Sequence, residues 1–170
     1  MPRVSKKNLN IVFIGMPGAG KTTLASLVAP RIDYDLVEID DRIVEIAGKP
    51  ITDIFAHEGE AYFRNLETQV VAECSKLKRT VISCGGGVIK KKENMHALGK
   101  RGLIFFIDRD LNLIETPGFR PLSSNRKELE RLYEERIYIY RHYADITIEN
   151  NGTIEEAVNT IISKIKEIAG

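Results

Sequence analysis

The sequence predicts an α/β domain, a three-layer α/β/α arrangement on a five-stranded parallel sheet. Three observations predict it. Short apolar runs rich in β-branched residues recur five times, stretches of helical period separate them, and 170 residues with 43% hydrophobic and 29% charged side chains suit a single core of ordinary size. Strands that alternate with helices pair in parallel and are covered on both faces.

In chain order, the first run is Asn10-Ile11-Val12-Phe13-Ile14, and a helical stretch at 21–30 follows its glycine-rich turn. The second run, 34–39, precedes a long helix-rich segment, 40–67, whose turn breaks at Gly48-Lys49-Pro50 and Gly59 mark it as a lobe inserted into the single domain 1–170. A helix at 60–78 leads to the third run, 80–83, and the fourth run is 103–107. Residues 112–126 include the polar, turn-rich Thr116-Pro117-Gly118-Phe119-Arg120-Pro121, the composition of a surface loop that acts as a lid. Amphipathic period returns at 127–143, the fifth run is 145–148, and Thr153 with Glu156 three residues on forms a capping box for a last helix at 154–169.

Charge and cysteine usage exclude several function classes. The 25 basic and 24 acidic residues nearly cancel, so no global field attracts nucleic acid or an anionic membrane, and any bound anion must be held locally. No apolar run approaches the roughly 20 residues that span a bilayer. Cys74 and Cys84 are too few for a disulfide framework or a four-ligand zinc site. A reduced, cytoplasmic monomer is the expectation. His57, His96 and His142 are scattered, without metal-ligand spacing.

The strongest chemical signal is Gly15-Met16-Pro17-Gly18-Ala19-Gly20-Lys21-Thr22, a complete G-x-x-x-x-G-K-[ST] pattern between a strand and a helix. Glycines let the backbone wrap close to a polyphosphate, and the N–H groups of the loop and of the helix N-terminus point at the anion. Nucleotide binding is therefore assigned to Gly18, Ala19, Gly20, Lys21, Thr22 and Thr23, with Lys21 on the β- and γ-phosphates and Thr22 on Mg²⁺. The pattern implies a P-loop NTPase fold. No Asn-Lys-x-Asp guanine reader occurs, and the chain is short for a motor, which leaves a small kinase.

The acceptor side is read from strand ends, where open α/β sheets bind ligands. Glu38 and Asp40 close the second run on one side of the strand, placing one carboxylate to take a hydroxyl proton and another to hold Mg²⁺; helix capping is the alternative, and Asp41 suits it better. Arg64 can form a two-point pair with a substrate carboxylate, or a helical salt bridge with Glu60 or Glu67. Gly85-Gly86-Gly87 after the third strand marks a place where a ligand or another backbone approaches closely, or else a plain turn.

The loop 15–22, Asp40, Gly59-Glu60-x-x-Phe63-Arg64, Gly85-Gly86-Gly87, Arg120-Pro121-Leu122 and Leu132-Tyr133-x-x-Arg136 stand in the order and approximate spacing found in shikimate kinases, and the resemblance covers nearly the whole chain. It implies transfer of the ATP γ-phosphoryl group to the 3-hydroxyl of shikimate with Mg²⁺ present. It further implies that Asp40 contacts that hydroxyl, that Arg64 and Arg136 hold the carboxylate, that Gly85, Gly86 and Gly87 line the pocket, and that Arg120 is a catalytic lid arginine that also contacts the nucleotide. Three positions depart from the pattern. Glu38 stands where an aspartate is common, Cys84 where a threonine is common, and the arginine that relatives carry near the nucleotide base has no counterpart at Glu115 or Thr116. The adenine is expected beside Asn150-Asn151-Gly152. Kinases of other hydroxylated acids, such as quinate or gluconate, and a nucleotide-binding module without transfer are the alternatives.

Overall fold

The computed structural model describes residues 6–115 and 126–169. Most of the expected lid, 116–125 with Arg120, lies outside the described residues. Five strands form one sheet in the order β2-β3-β1-β4-β5, and every pairing is parallel. β1 (Asn10–Ile14) is central and buried at all five positions, as continuous apolar runs require when both sheet faces are covered. β3 (Thr80–Ser83) and β4 (Gly102–Asp108) flank it, with Ile11 opposite both Val81 and Leu103. β2 (Asp35–Glu38) and β5 (Ile146–Glu149) are the edges.

Crossover handedness distributes the helices. The chain moves one way across the sheet from β1 to β2 and the other way thereafter, so right-handed connections put α1 (Lys21–Arg31) on one face and the later crossovers on the other. Side-chain parity agrees with this. Ile104 and Phe106 point to the same face of β4; Ile104 lies beside Gly99 of α5 (Lys92–Arg101), and Phe106 stacks on Tyr140 of α6 (Arg126–Tyr143). α7 (Ile154–Ala169) returns to pack on α1. Its capping box forms, with the Glu156 N–H donating to Thr153 Oγ1 at 3.1 Å and the Thr153 N–H donating to Glu156 Oε2 at 3.4 Å.

Two expected boundaries move. β2 ends at Glu38, and α2 (Ile39–Ala47) starts where the strand was expected to continue. Ile39 and Ile43 are both fully buried, and that four-residue period draws Ile39 into the helix. Asp40 and Asp41 thus both occupy the first helical turn, where the helix dipole favours carboxylates, and Glu38 and Asp40 do not share a strand side. α3 (Ile51–His57) and α4 (Glu60–Cys74) follow the breaks at 48–50 and 59. α4 stops four residues short of the expected end because Asn10 fastens the next turn. Its amide donates to Leu77 O at 2.9 Å, and its side-chain oxygen accepts from the Thr80 N–H at 3.1 Å. Among the described residues, no helix is long and apolar enough to cross a membrane.

Candidate functional site

The carboxyl ends of all five strands open on one cavity of about 870 Å³. It lies where the strand order reverses, between β1 and β3, the position at which open α/β sheets take ligands.

The phosphate loop forms one wall. Lys21 is buried, and its Nζ donates to the carbonyls of Gly15 (2.5 Å) and Met16 (2.8 Å), so the ammonium sits inside the arc of its own loop. Gly20 has a φ of +99°, and a Cβ there would stand 2.6 Å from Asn150 Nδ2. Backbone conformation and packing both demand glycine. Asn150, at the end of β5, donates that amide to the carbonyl of Ala19 at 2.8 Å and so ties the loop to the far side of the sheet. Ala19 is buried beneath the loop, whereas Gly18, Gly20, Thr22 and Thr23 face the cavity.

Thr22 and Glu38 meet beside the loop, Oγ1 to Oε2 at 3.4 Å. Burial pushes the Glu38 carboxyl above its usual range, hydrogen bonds from Ser83 and Thr22 pull the other way, and nearby Asp41 and Asp40 push it further up. A half-buried carboxylate among other acids wants a cation. One hydroxyl and one or two carboxylates form a hard oxygen set that fits Mg²⁺, which keeps most of its shell as water and phosphate oxygens. Among the described residues there is no group of three or more His, Cys, Asp or Glu that could hold a metal.

Charged side chains build another part of the lining. Arg64 is 8% exposed and Glu67 is fully buried, with Arg64 Nη1 to Glu67 Oε1 at 3.0 Å and Arg64 Nε to Glu60 Oε1 at 3.4 Å. The helical salt bridges read from the sequence therefore form, and the same guanidinium still lines the cavity. Its carbon lies 5.0 Å from the centroid of the Phe63 ring. Burial raises the Glu67 carboxyl while Arg64 draws it down. Arg136 enters from α6, is 3% exposed, and keeps Nη2 buried with no hydrogen-bond partner among the described residues. Two buried guanidiniums line one cavity, a chemistry that suits a planar anion such as a carboxylate.

The triple glycine owes its composition to space. None of Gly85, Gly86 and Gly87 has positive φ. A Cβ on Gly85 would stand 2.9 Å from the Asp40 carboxylate, one on Gly86 2.7 Å from Pro17 and 3.2 Å from Arg136 Nη1, and one on Gly87 would collide with the Arg64 guanidinium. Side chains from α2, α4, α6 and the phosphate loop close on this loop, where the sequence suggested a ligand, a backbone or a plain turn. Cys84 just before it is buried, and burial pushes its thiol far above the usual range, leaving it an unreactive wall atom.

Arg109 was not anticipated. It follows the last residue of β4 and lines the cavity, donating from Nη1 to Asn150 O (2.6 Å) and from Nε to Leu113 O (3.4 Å). Leu113 and Ile154, 44% and 49% exposed, stand on the same side and leave apolar surface toward the opening. The strand-end rule that singled out 38–40 and 85–87 points equally to Asp108-Arg109, so the signal was present. Glu67 was read from the sequence only as a salt-bridge partner of Arg64, and the structure adds that it is fully buried.

Comparisons with known proteins identify the family. A shikimate kinase family profile matches residues 17–166. The chain belongs to the shikimate kinase family. It is 37% identical over 165 residues to a shikimate kinase of Clostridium beijerinckii, covering 93% of each chain. The solved shikimate kinase of Acinetobacter baumannii in complex with shikimate superposes with a TM-score of 0.89 at 30% identity, covering 95% of both chains. That of Aquifex aeolicus gives 0.79 at 32% identity, covering 94% of this chain and 97% of the other. The family's reaction is phosphorylation of shikimate by ATP, and the five-stranded parallel sheet with helices on both faces is its P-loop kinase fold.

Proposed function

We propose that this chain transfers the ATP γ-phosphoryl group to the 3-hydroxyl of shikimate. One observation supports the reading most. A phosphate loop, a pair of buried guanidiniums and the Asp40 carboxylate beside Gly85 line one cavity. In this reading Arg64 and Arg136 grip the carboxylate of the acid and the 85–87 loop bounds its ring. Asp40 accepts the hydroxyl proton as the oxygen–phosphorus bond forms and the bond to the ADP oxygen breaks.

Phosphoryl transfer passes through a loose transition state, so placement and charge neutralisation do most of the work. Lys21 takes the β- and γ-phosphates. Thr22 and Glu38 hold Mg²⁺, which supplies neutralisation of phosphate charge when bound. Arg120, outside the described residues, is assigned to the transferring phosphate as the lid arginine of the resemblance. The base is assigned to the wall of Arg109, Leu113 and Ile154, beside Asn150. We further propose a cytoplasmic monomer that binds neither nucleic acid nor membrane.

The test is ADP release measured with Mg²⁺-ATP and shikimate, quinate, gluconate or no acceptor. Release with shikimate far above the other acids is expected. Preference for quinate or gluconate reassigns the acceptor pocket, and ATP binding without acceptor-dependent release removes the transfer reaction.

A further inference from the structure

The groups assigned to the acceptor acid come from distant segments, and one oxygen joins two of them. Tyr140 lies one helical turn beyond Arg136 on the buried face of α6 and is itself fully buried. Its ring stacks on Phe106 of β4, with centroids 5.1 Å apart and planes 18° from parallel, so the phenol has little freedom to turn. Its hydroxyl donates to the carbonyl of Gly86 at 2.6 Å, 54 residues away in sequence. The Arg136 guanidinium lies near enough to the same phenol to draw its pKa down. The single hydroxyl proton goes to Gly86, which leaves the oxygen an acceptor toward any other group.

We infer that Tyr140 is a positioning residue for the acceptor acid, its hydroxyl setting the Arg136 guanidinium and the Gly86 peptide in one fixed relation. Two geometric arguments support this. Because the peptide is planar and trans, holding the Gly86 carbonyl toward α6 also fixes the Gly87 N–H in the opposite sense. Arg136 Nη1 also lies 3.2 Å from where a Cβ on Gly86 would stand, so the guanidinium packs over the Gly86 backbone without room for a side chain between them. The phenol is suited to permanent donation, since burial pushes its pKa up to about 12 and Arg136 and Arg64 lower it only in part. The inference rests on the assignment of Arg136 and Gly86 to the acid.

Tyr140→Phe removes the oxygen and keeps the stacked ring. Shikimate binding by titration calorimetry, KM for shikimate, KM for Mg²⁺-ATP, and the melting temperature should be measured for the wild type and for this variant. The expected result is a rise of roughly tenfold in both the dissociation constant and KM for shikimate, the size of one hydrogen bond to a charged group, with KM for ATP changed less than twofold. Equal rises in both KM values with a lowered melting temperature reduce Tyr140 to general support and overturn the inference, as does unchanged shikimate binding. A wild-type chain that binds no shikimate overturns the functional reading and the inference together, whereas wild-type binding matched by the variant overturns the inference alone.

Discussion

The two halves of the cavity are built on different principles. The nucleotide half is a run of consecutive backbone, residues 15–22, with contributions from segments near its rim such as Leu113 and Ile154, both substantially exposed. The acceptor half gathers charged side chains from α2, α4 and α6 around the 85–87 loop, with Arg64 held by Glu67 and the Gly86 carbonyl held by Tyr140. Where the ligand is mostly phosphate, a local loop of N–H donors suffices. Recognition of a particular acid requires guanidiniums fixed in advance, and fixing them takes tertiary structure.

Substitutions can break or sharpen this contrast. The largest effect is expected from Asp40→Asn, which keeps the shape of the acceptor half and removes its base. kcat should fall roughly 10²–10⁴-fold with little change in ATP affinity, and near-normal turnover in single-turnover kinetics would remove Asp40 from proton transfer. Next is Gly87→Ala. The added methyl would overlap the buried Arg64 guanidinium and push it off Glu67, so KM for shikimate should rise roughly 10–100-fold, the loss expected when a charged hydrogen-bonded pair is displaced. An unchanged circular dichroism spectrum checks that the fold survives. Gly20→Ala is the mirror experiment. Strain at φ +99° and the clash with Asn150 should raise KM for ATP and leave shikimate binding alone. If both substitutions weaken both substrates equally, the two halves are not independent.

The brace on the acceptor half also has a pH signature. Tyr140 titrates near 10 when unfolded and is pushed up to about 12 in the fold. The folded state therefore holds its proton longer, and the stability this gives is complete below pH 10 and is lost as pH rises toward 12. Over that window wild-type stability should fall more steeply than that of Tyr140→Phe, by about 1.4 kcal/mol per pH unit. Urea unfolding at pH 9.5, 10.5 and 11.5 measures the difference, and parallel curves contradict it. The smallest effect is expected from Arg109→Ala, a rise of roughly fivefold in KM for ATP with shikimate unaffected. No change would move the base to another wall.

The same contrast explains what could be read without coordinates. A contiguous motif announces itself, so the phosphate loop, its strand and its helix were legible outright. α7 was legible through Thr153 and Glu156, whose reciprocal bonds involve only neighbours. Arg64 and Arg136 were visible as residues, but their burial was not. It follows from Leu129, Leu132 and Tyr140 placing Arg136 on the apolar stripe of α6, and from Glu67 arriving beside Arg64. The end of α4 was misjudged because Asn10, some 65 residues earlier, holds the turn that stops it. Asp40 was placed on a strand because β-branched residues surround it, and the helical period of Ile39 and Ile43 prevailed. Arg109 was within reach of the strand-end rule, but its partners are backbone carbonyls, so no side-chain pattern reinforced that signal.

The buried pair of Arg64 and Glu67 has a consequence for the thermodynamics of substrate capture. A free arginine loses up to about 2 kcal/mol of side-chain conformational entropy when it is immobilised. In this fold Arg64 gives up that freedom as α4 packs, before any acid arrives, and the cost is borne by the stability of the folded chain. Capture of the acid then orders little of the receptor, so its calorimetric signature should be a favourable enthalpy with a small entropic penalty.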